Sequence, residues 1–356
     1  MTKICFFVGN ISQAGGTERV TTVIGNGLQA REYDVHILSL QCDGEPFFPV
    51  SEHINIDRLF LYPGRGAIRL PLIILKLRSY LKENNIDVLI DVESMLSLYT
   101  VPAVMGLNIR HICWEHFNFN VDLGKTARRF ARKLAAYFAD DVITLTEQDK
   151  MLWLSNTNYH AKITAIPNPV TISLPEKINN NKEKLFLAVG RLTHQKGFDL
   201  LLQAWALIAP LYPEWRLRIV GDGEDKPMLE KLRRDLNVEI STELAPNTKN
   251  IAEHYQQATY FILSSRFEGF GLVVVEAQAY GLPVISFDCE LGPSEIILHD
   301  KTGWLCEPEN IFSLSERIKF AIENDNNYER LSQASMCNAA RYSIDNTVEK
   351  WVELIG

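Results

Sequence analysis

Among the six cysteines of this chain (Cys5, Cys42, Cys113, Cys289, Cys306 and Cys337) there is no C-x-x-C pair. H-x-x-x-H is missing as well, so the thiols read as reduced groups of a cytoplasmic protein, and neither a metal site nor a disulfide framework is implied. Basic excess is another absence. Lys and Arg number 36 against 44 Asp and Glu, a net charge of −8, and the acidic surplus falls after residue 170. That balance argues against a nucleic-acid partner, which calls for a basic domain, while leaving room for a local basic patch. Long apolar runs are lacking too. The most apolar helical stretch, near Ile68 to Leu81, is interrupted by Arg69, Pro71, Lys76 and Arg78, so no segment reads as crossing a bilayer. The first apolar run, Ile4 to Val8 before Gly9-Asn10, is a strand and too short for a signal peptide. No solenoid period shows, and G-x-G-x-x-G, the dinucleotide fingerprint, is missing.

What is present is an ordinary globular composition over 356 residues, 46% hydrophobic and 22% charged, long enough for two domains. The first half alternates short apolar runs with amphipathic stretches. Strands are expected at 3–9, 34–40, 54–61, 87–92, 110–114 and 141–145, with helices at 17–30, 68–82, 94–105, 125–138 and 147–154 between them. Continuous apolar strands separated by helices mean a parallel sheet covered on both faces. Pro167-Asn168-Pro169 and the polar stretch Ser173 to Lys184 then read as a linker. Beyond it the pattern restarts, with strands at 185–189, 215–220, 260–264 and 284–287 and helices at 198–209, 226–236, 251–257 and 272–280, before a helical run from 311 to 354. The fold class expected is α/β, with two doubly wound, Rossmann-like domains facing across a cleft. Their bounds are 1–170 and 171–340, and a last helix, 341–356, packs back towards the first. Ligands of such sheets sit beyond the carboxyl ends of the strands.

The strongest motif runs from Ser264 to Ala277, SSRFEGFGLVVVEA. An apolar strand ends in a glycine-rich turn carrying Glu268, and a helix bearing Glu276 follows. Backbone N–H groups at a helix start suit a phosphate, and carboxylates accept the hydroxyls of a sugar or ribose. An ordinary turn with one capping and one solvated glutamate has the same spacing. The glycines around Phe270 and the downstream Gly281-Leu282-Pro283 favour the ligand-binding reading. This frame, with its E-x7-E pair, resembles family four of the retaining glycosyltransferases, which have the GT-B fold. The resemblance covers nearly the whole chain and is weakest from about Asp43 to Asn85.

The resemblance implies a first domain for the acceptor and a second for a nucleotide-sugar donor. Glu268 would hold hydroxyls of the donor sugar and Glu276 the ribose, with Gly269, Phe270, Gly271 and Leu272 lining the donor site. It also gives a role to Gly190-Arg191-Leu192-Thr193-His194-Gln195-Lys196-Gly197, where Arg191 and Lys196 would meet the donor diphosphate. Two fixed cations there do the work a divalent metal does elsewhere. The D-x-D triplet of the other main glycosyltransferase fold does not occur. Gly15-Gly16 after the first strand matches a family element in which Gly16 would contact the donor phosphates. His116, ending a buried strand, occupies the family's position near the donor hexose. Glu115 beside it could form an acid–base pair, but neighbours on a strand point to opposite faces.

The activity implied is metal-independent, retaining transfer of a hexose or N-acetylhexosamine, without a cofactor, from a UDP-sugar to a glycan acceptor. The resemblance is to enzymes of bacterial lipopolysaccharide, O-antigen or capsule synthesis, whose acceptors are often lipid-linked. A sugar-nucleotide epimerase of similar shape and a non-catalytic scaffold of a polysaccharide assembly complex are the alternatives. Gly221-Asp222-Gly223 is either the approach to a nucleobase or a plain turn. The helix starting near Lys125 carries Arg128, Arg129, Arg132 and Lys133 with no acid. It is either a solvated face or a peripheral contact with the anionic inner-membrane leaflet or a lipid-linked acceptor.

Overall fold

The computed structural model describes residues 1–62, 64, 66–122, 124–172, 182–248 and 250–356, with the backbone alone for 66–68. Most of the expected linker, 173–181, lies outside these. The chain forms two compact units, residues 1–171 with 344–356, and residues 172–343.

In the first unit, seven strands form one sheet: β1 (Lys3–Val8), β2 (Asp34–Gln41), β3 (Asn55–Phe60), β4 (Val88–Val92), β5 (Arg110–Trp114), β6 (Asp141–Thr144) and β7 (Lys162–Ala165). Their order is β3-β2-β1-β4-β5-β6-β7, and every pairing is parallel. β1, β4 and β5 are buried along almost their whole length, which is why they read as apolar runs rather than alternating ones. Strand order reverses between β1 and β4. The last helix, Ile344–Ile355, belongs to this unit: Trp351 packs on Trp114 with ring centroids 4.8 Å apart, and Arg31 pairs with Glu349 at 2.9 Å.

The second unit repeats the plan with six strands: β8 (Leu185–Val189), β9 (Arg216–Val220), β10 (Thr242–Ala245), β11 (Tyr260–Leu263), β12 (Val284–Phe287) and β13 (Gly303–Cys306). The order β10-β9-β8-β11-β12-β13 reverses between β8 and β11, again with all pairs parallel. An aromatic cluster fills one face, where Phe186 stacks on Tyr260 at 5.3 Å and fully buried Trp205 meets Phe186 at 5.7 Å. β7, β10 and β13 were not expected as strands. Each has four residues, and Thr-Glu-Leu-Ala and Gly-Trp-Leu-Cys hold too few consecutive apolar residues to stand out. They join their sheets through pairing with a strong neighbour, a tertiary effect that local pattern does not carry.

Both units are thus doubly wound parallel sheets of the Rossmann type. Among the described residues no helix is long and apolar enough to cross a membrane.

Candidate functional site

In a doubly wound sheet the loops after the two strands flanking the reversal diverge and leave a crevice at their carboxyl ends. In the second unit those strands are β8 and β11. The loop after β8 carries Gly190 to Gly197, and the loop after β11 carries Ser264 to Gly271. They are closely joined. Ser264 Oγ donates to the Lys196 carbonyl at 2.9 Å, Gln195 Nε2 to the Phe267 carbonyl at 3.1 Å, and the Arg266 N–H to the Gln195 carbonyl at 2.8 Å. Gly197 has φ +61°, and a Cβ there would run into the Ser264 carbonyl oxygen, so glycine alone lets the loops touch. Arg266 fixes the junction from outside. Its Nη1 and Nη2 reach the two carboxylate oxygens of Asp199 at 2.9 and 2.7 Å, and its Nε meets Glu309 at 3.1 Å.

This joining brings Lys196 and Glu268 together, 2.6 Å from Nζ to Oε1. Ser265 Oγ donates to the same oxygen at 2.6 Å, while Oε2 has no hydrogen-bond partner among the described residues. Glu268 is buried, with Lys196 mostly so. One of the three ammonium protons of Lys196 serves Glu268, which leaves two to give. Arg191 leaves the same loop but is exposed and has no ion pair among the described residues. Gly269, Phe270 and Gly271 lead into the helix Leu272–Ala279, whose first N–H groups have no intrahelical acceptor. Glu276, one turn on, is buried and does not join the Lys196 pair; Tyr255 Oη donates to its Oε2 at 3.1 Å.

Residues that the motifs did not single out complete this edge. Cys289 follows β12 and is buried within electrostatic reach of Glu268 and Lys196. Burial first, then the Glu268 charge, pushes its thiol up to about 12, so it is a neutral wall and no nucleophile. Gly292, at φ +96°, packs on the Phe270 carbonyl. The sequence signal for this loop was Gly292-Pro293 closely following a strand.

Gly16 and His116 lie in the first unit. Gly16 is exposed at the start of the helix Gly16–Gln29, and the acid in that first turn, Glu18, suits the positive end of the helix. His116 lies against Trp114, ring centroids 4.4 Å apart, and its Nε2 is buried without a hydrogen-bond partner among the described residues. Burial holds its imidazole down at about 4, so it is neutral at pH 7.

The basic helix needs a correction. Helix Thr126–Phe138 turns Arg128 and Arg132 inward, where they are 3% and 1% exposed, so neither can touch a membrane. Arg132 Nε meets Glu115 Oε2 at 3.1 Å, and its other nitrogens donate to the carbonyls of Asn118, Phe119 and Val121. Arg128 Nη2 lies 2.7 Å from Glu93 Oε1. Arg129 alone of the three is exposed, paired with Asp122 at 2.5 Å. Glu115 accordingly holds the fold together: besides Arg132 it accepts Ser94 Oγ at 2.5 Å and the N–H groups of His116 and Phe117.

Comparison with known proteins shows the family and the fold. The family model "Glycosyltransferase Family 4" matches residues 14–174, and "Glycosyl transferases group 1" matches residues 171–336. An uncharacterized glycosyltransferase of Haemophilus influenzae is 37% identical over 99% of both chains. The amylovoran biosynthesis glycosyltransferase AmsD of Erwinia amylovora is 30% identical over the whole of both chains. Among solved structures, Anabaena HepE in complex with UDP-glucose superimposes with a TM-score of 0.80 at 19% identity, covering 99% of each chain.

Proposed function

The chain belongs to the family-4 glycosyltransferases of the GT-B fold, and from that premise we propose that it transfers a hexose or N-acetylhexosamine from a UDP-sugar to a lipid-linked glycan, retaining the anomeric configuration and using no metal ion. One observation carries the reading: the Lys196–Glu268 pair stands at the strand-order reversal of the second unit, with free valence on both members.

Glu268 Oε2 accepts a hydroxyl of the donor sugar, and Ser265 and Lys196 hold Oε1 so that the carboxylate does not turn away. The two remaining Lys196 protons and the Arg191 guanidinium meet the diphosphate. Charge accumulates on that diphosphate as the bond to the sugar breaks, and donors already fixed in place stabilise it without reorganising. The free N–H groups at Gly271 and Leu272 add the positive end of a helix. Glu276 accepts the ribose hydroxyls, its carboxylate oriented by the Tyr255 bond. The proton of the attacking hydroxyl passes to the departing phosphate on the same face, which needs no protein base and retains configuration. Gly16 and neutral His116 belong to the first unit, the unit assigned to the acceptor.

The acceptor's lipid end places the chain at the cytoplasmic face of a membrane. The outer face of helix Thr126–Phe138 carries exposed Phe130, Tyr137 and Phe138 with Arg129 and Lys133, an amphipathic surface of the kind that lies on anionic lipid. The test of the reading is a panel of UDP-sugars given to the purified protein without acceptor. Slow release of UDP and free sugar from at least one is expected. If none is hydrolysed and UDP produces no thermal shift, the reading fails.

A further inference from the structure

In the first sheet the strand order reverses between β1 and β4, where such sheets open a crevice at the strands' carboxyl ends, and Glu93 is the residue that follows β4. Its backbone is at φ 118°, ψ 133°, a region that side-chain-bearing residues avoid. The surroundings enforce it. The Glu93 N–H donates to the Trp114 carbonyl at 3.0 Å, its carbonyl accepts Leu96 N–H at 3.1 Å, and the next side chain, Ser94, is bound to buried Glu115 at 2.5 Å.

The strained position presents a half-used carboxylate. Oε1 is held by Arg128 at 2.7 Å, while Oε2 has no partner among the described residues, and the side chain is 26% exposed. Arg128 is itself 3% exposed, lies under the Phe117 ring at 4.3 Å, and has Nε and Nη1 buried without hydrogen-bond partners among the described residues. A buried donor without an acceptor is costly, and holding a carboxylate in a strained position accounts for that cost. The arrangement parallels Lys196 and Glu268: in each unit a carboxylate after the strand at the reversal gives one oxygen to a buried cation and keeps the other.

We propose that Glu93, held by Arg128, binds the hydroxyls of the acceptor sugar. A sugar hydroxyl donates to the open carboxylate oxygen of Glu93, while buried Arg128 holds the other oxygen and balances its charge, so the pair suits the hydroxyls of a neutral sugar. A phosphate cannot do this, because Glu93 repels it; the pair therefore recognises the sugar end of the acceptor. Burial raises the Glu93 carboxyl above its usual range, against the pull of Arg128, as befits a group that waits for a partner. The proposal rests on the glycosyltransferase reading for the identity of the ligand.

The experiment uses the full chain and methyl α- and β-glycosides of galactose, glucose and their 2-acetamido forms. Binding is followed by saturation-transfer NMR, with UDP-induced thermal shift measured separately. The parent should receive saturation from at least one glycoside. Glu93→Gln, which keeps an acceptor for Arg128, should weaken that binding roughly tenfold or more while UDP shifts both proteins alike. A purely structural Glu93 would change the melting temperature and leave the glycoside signal in the folded protein. Should Glu93→Gln not fold, Glu93→Gly, which suits φ 118°, gives the same reading. Unaltered glycoside binding in the folded variant, or no glycoside signal in the parent, overturns the proposal. Loss of the UDP shift in the parent instead strikes the donor-site reading alone.

Discussion

Lys196 and Glu268, 72 residues apart in sequence, meet at 2.6 Å because the loops after β8 and β11 are joined by four further hydrogen bonds through Gln195, Lys196, Ser264, Arg266 and Phe267 or His194. The pair's two members should fail differently when altered. Glu268→Gln removes a charge from a nearly dry site and leaves Lys196 able to reach the diphosphate. Lys196→Ala leaves a buried carboxylate uncompensated, so it should also lower the melting temperature. Both should reduce turnover at saturating donor by ~10²–10³-fold. Full turnover in Lys196→Ala would remove the diphosphate role from this residue.

The same fixed cations predict the response to chelation. If Lys196 and Arg191 neutralise the leaving diphosphate as proposed, UDP release should proceed unchanged in excess EDTA. Activity that disappears in chelator and returns with manganese or magnesium would show that these two charges are insufficient.

Much of this site was legible because its parts are local. A strand, a glycine-rich turn and a helix announce themselves together at Glu268, and again at Lys196. The inward turn of Arg128 and Arg132 was not legible. Their partners, Glu93 and Glu115, end two other strands, and nothing within the basic segment 125–133 tells two buried guanidiniums from solvated ones. The same limit hid Glu93, whose unusual φ is imposed by Trp114 and Glu115 rather than by its own neighbours in sequence. Short strands such as β10 and β13 escaped because pairing, not composition, makes them.

Asp149 gives a prediction in pH. Burial pushes its carboxyl from 3.8 up to about 7, with the Glu115 charge adding to this and the Phe119 N–H, 2.9 Å away, opposing it. The folded chain thus binds a proton here that the unfolded chain has already lost, and this group's contribution to stability declines as pH rises from about 4 to 7. Asp149→Asn keeps the acceptor for Phe119 and cannot ionise. Its stability relative to the parent should therefore climb between pH 5 and pH 8, by up to about 1.4 kcal/mol per pH unit. His116, held at about 4, has the opposite sign and cancels because both proteins carry it. Urea unfolding at the two pH values decides it: an equal difference at both would mean that Asp149 is ionised throughout.

The last prediction concerns helix Thr126–Phe138, whose two faces should behave oppositely. Arg132, with four nitrogen–oxygen contacts in a buried network, is structural; Arg132→Ser strands Glu115 and should cost about 3–5 kcal/mol of stability. Arg129 and Lys133 are exposed beside Phe130, Tyr137 and Phe138, so changing them leaves the core untouched. A basic residue near an anionic leaflet contributes about 1 kcal/mol, and losing both should weaken membrane binding by roughly thirtyfold. Arg129→Ser with Lys133→Ser should accordingly sediment poorly with phosphatidylglycerol-containing vesicles, melt like the parent and hydrolyse UDP-sugar at the parent's rate. Salt should reproduce the effect, since exposed charges are screened over ~8–10 Å. Removing Phe138 as well should weaken the salt-resistant remainder, because its ring is 53% exposed on the same helix and has apolar area to bury in lipid. If the double variant sediments like the parent at low salt, the outer face of this helix is a solvated surface and the chain reaches its acceptor by another route.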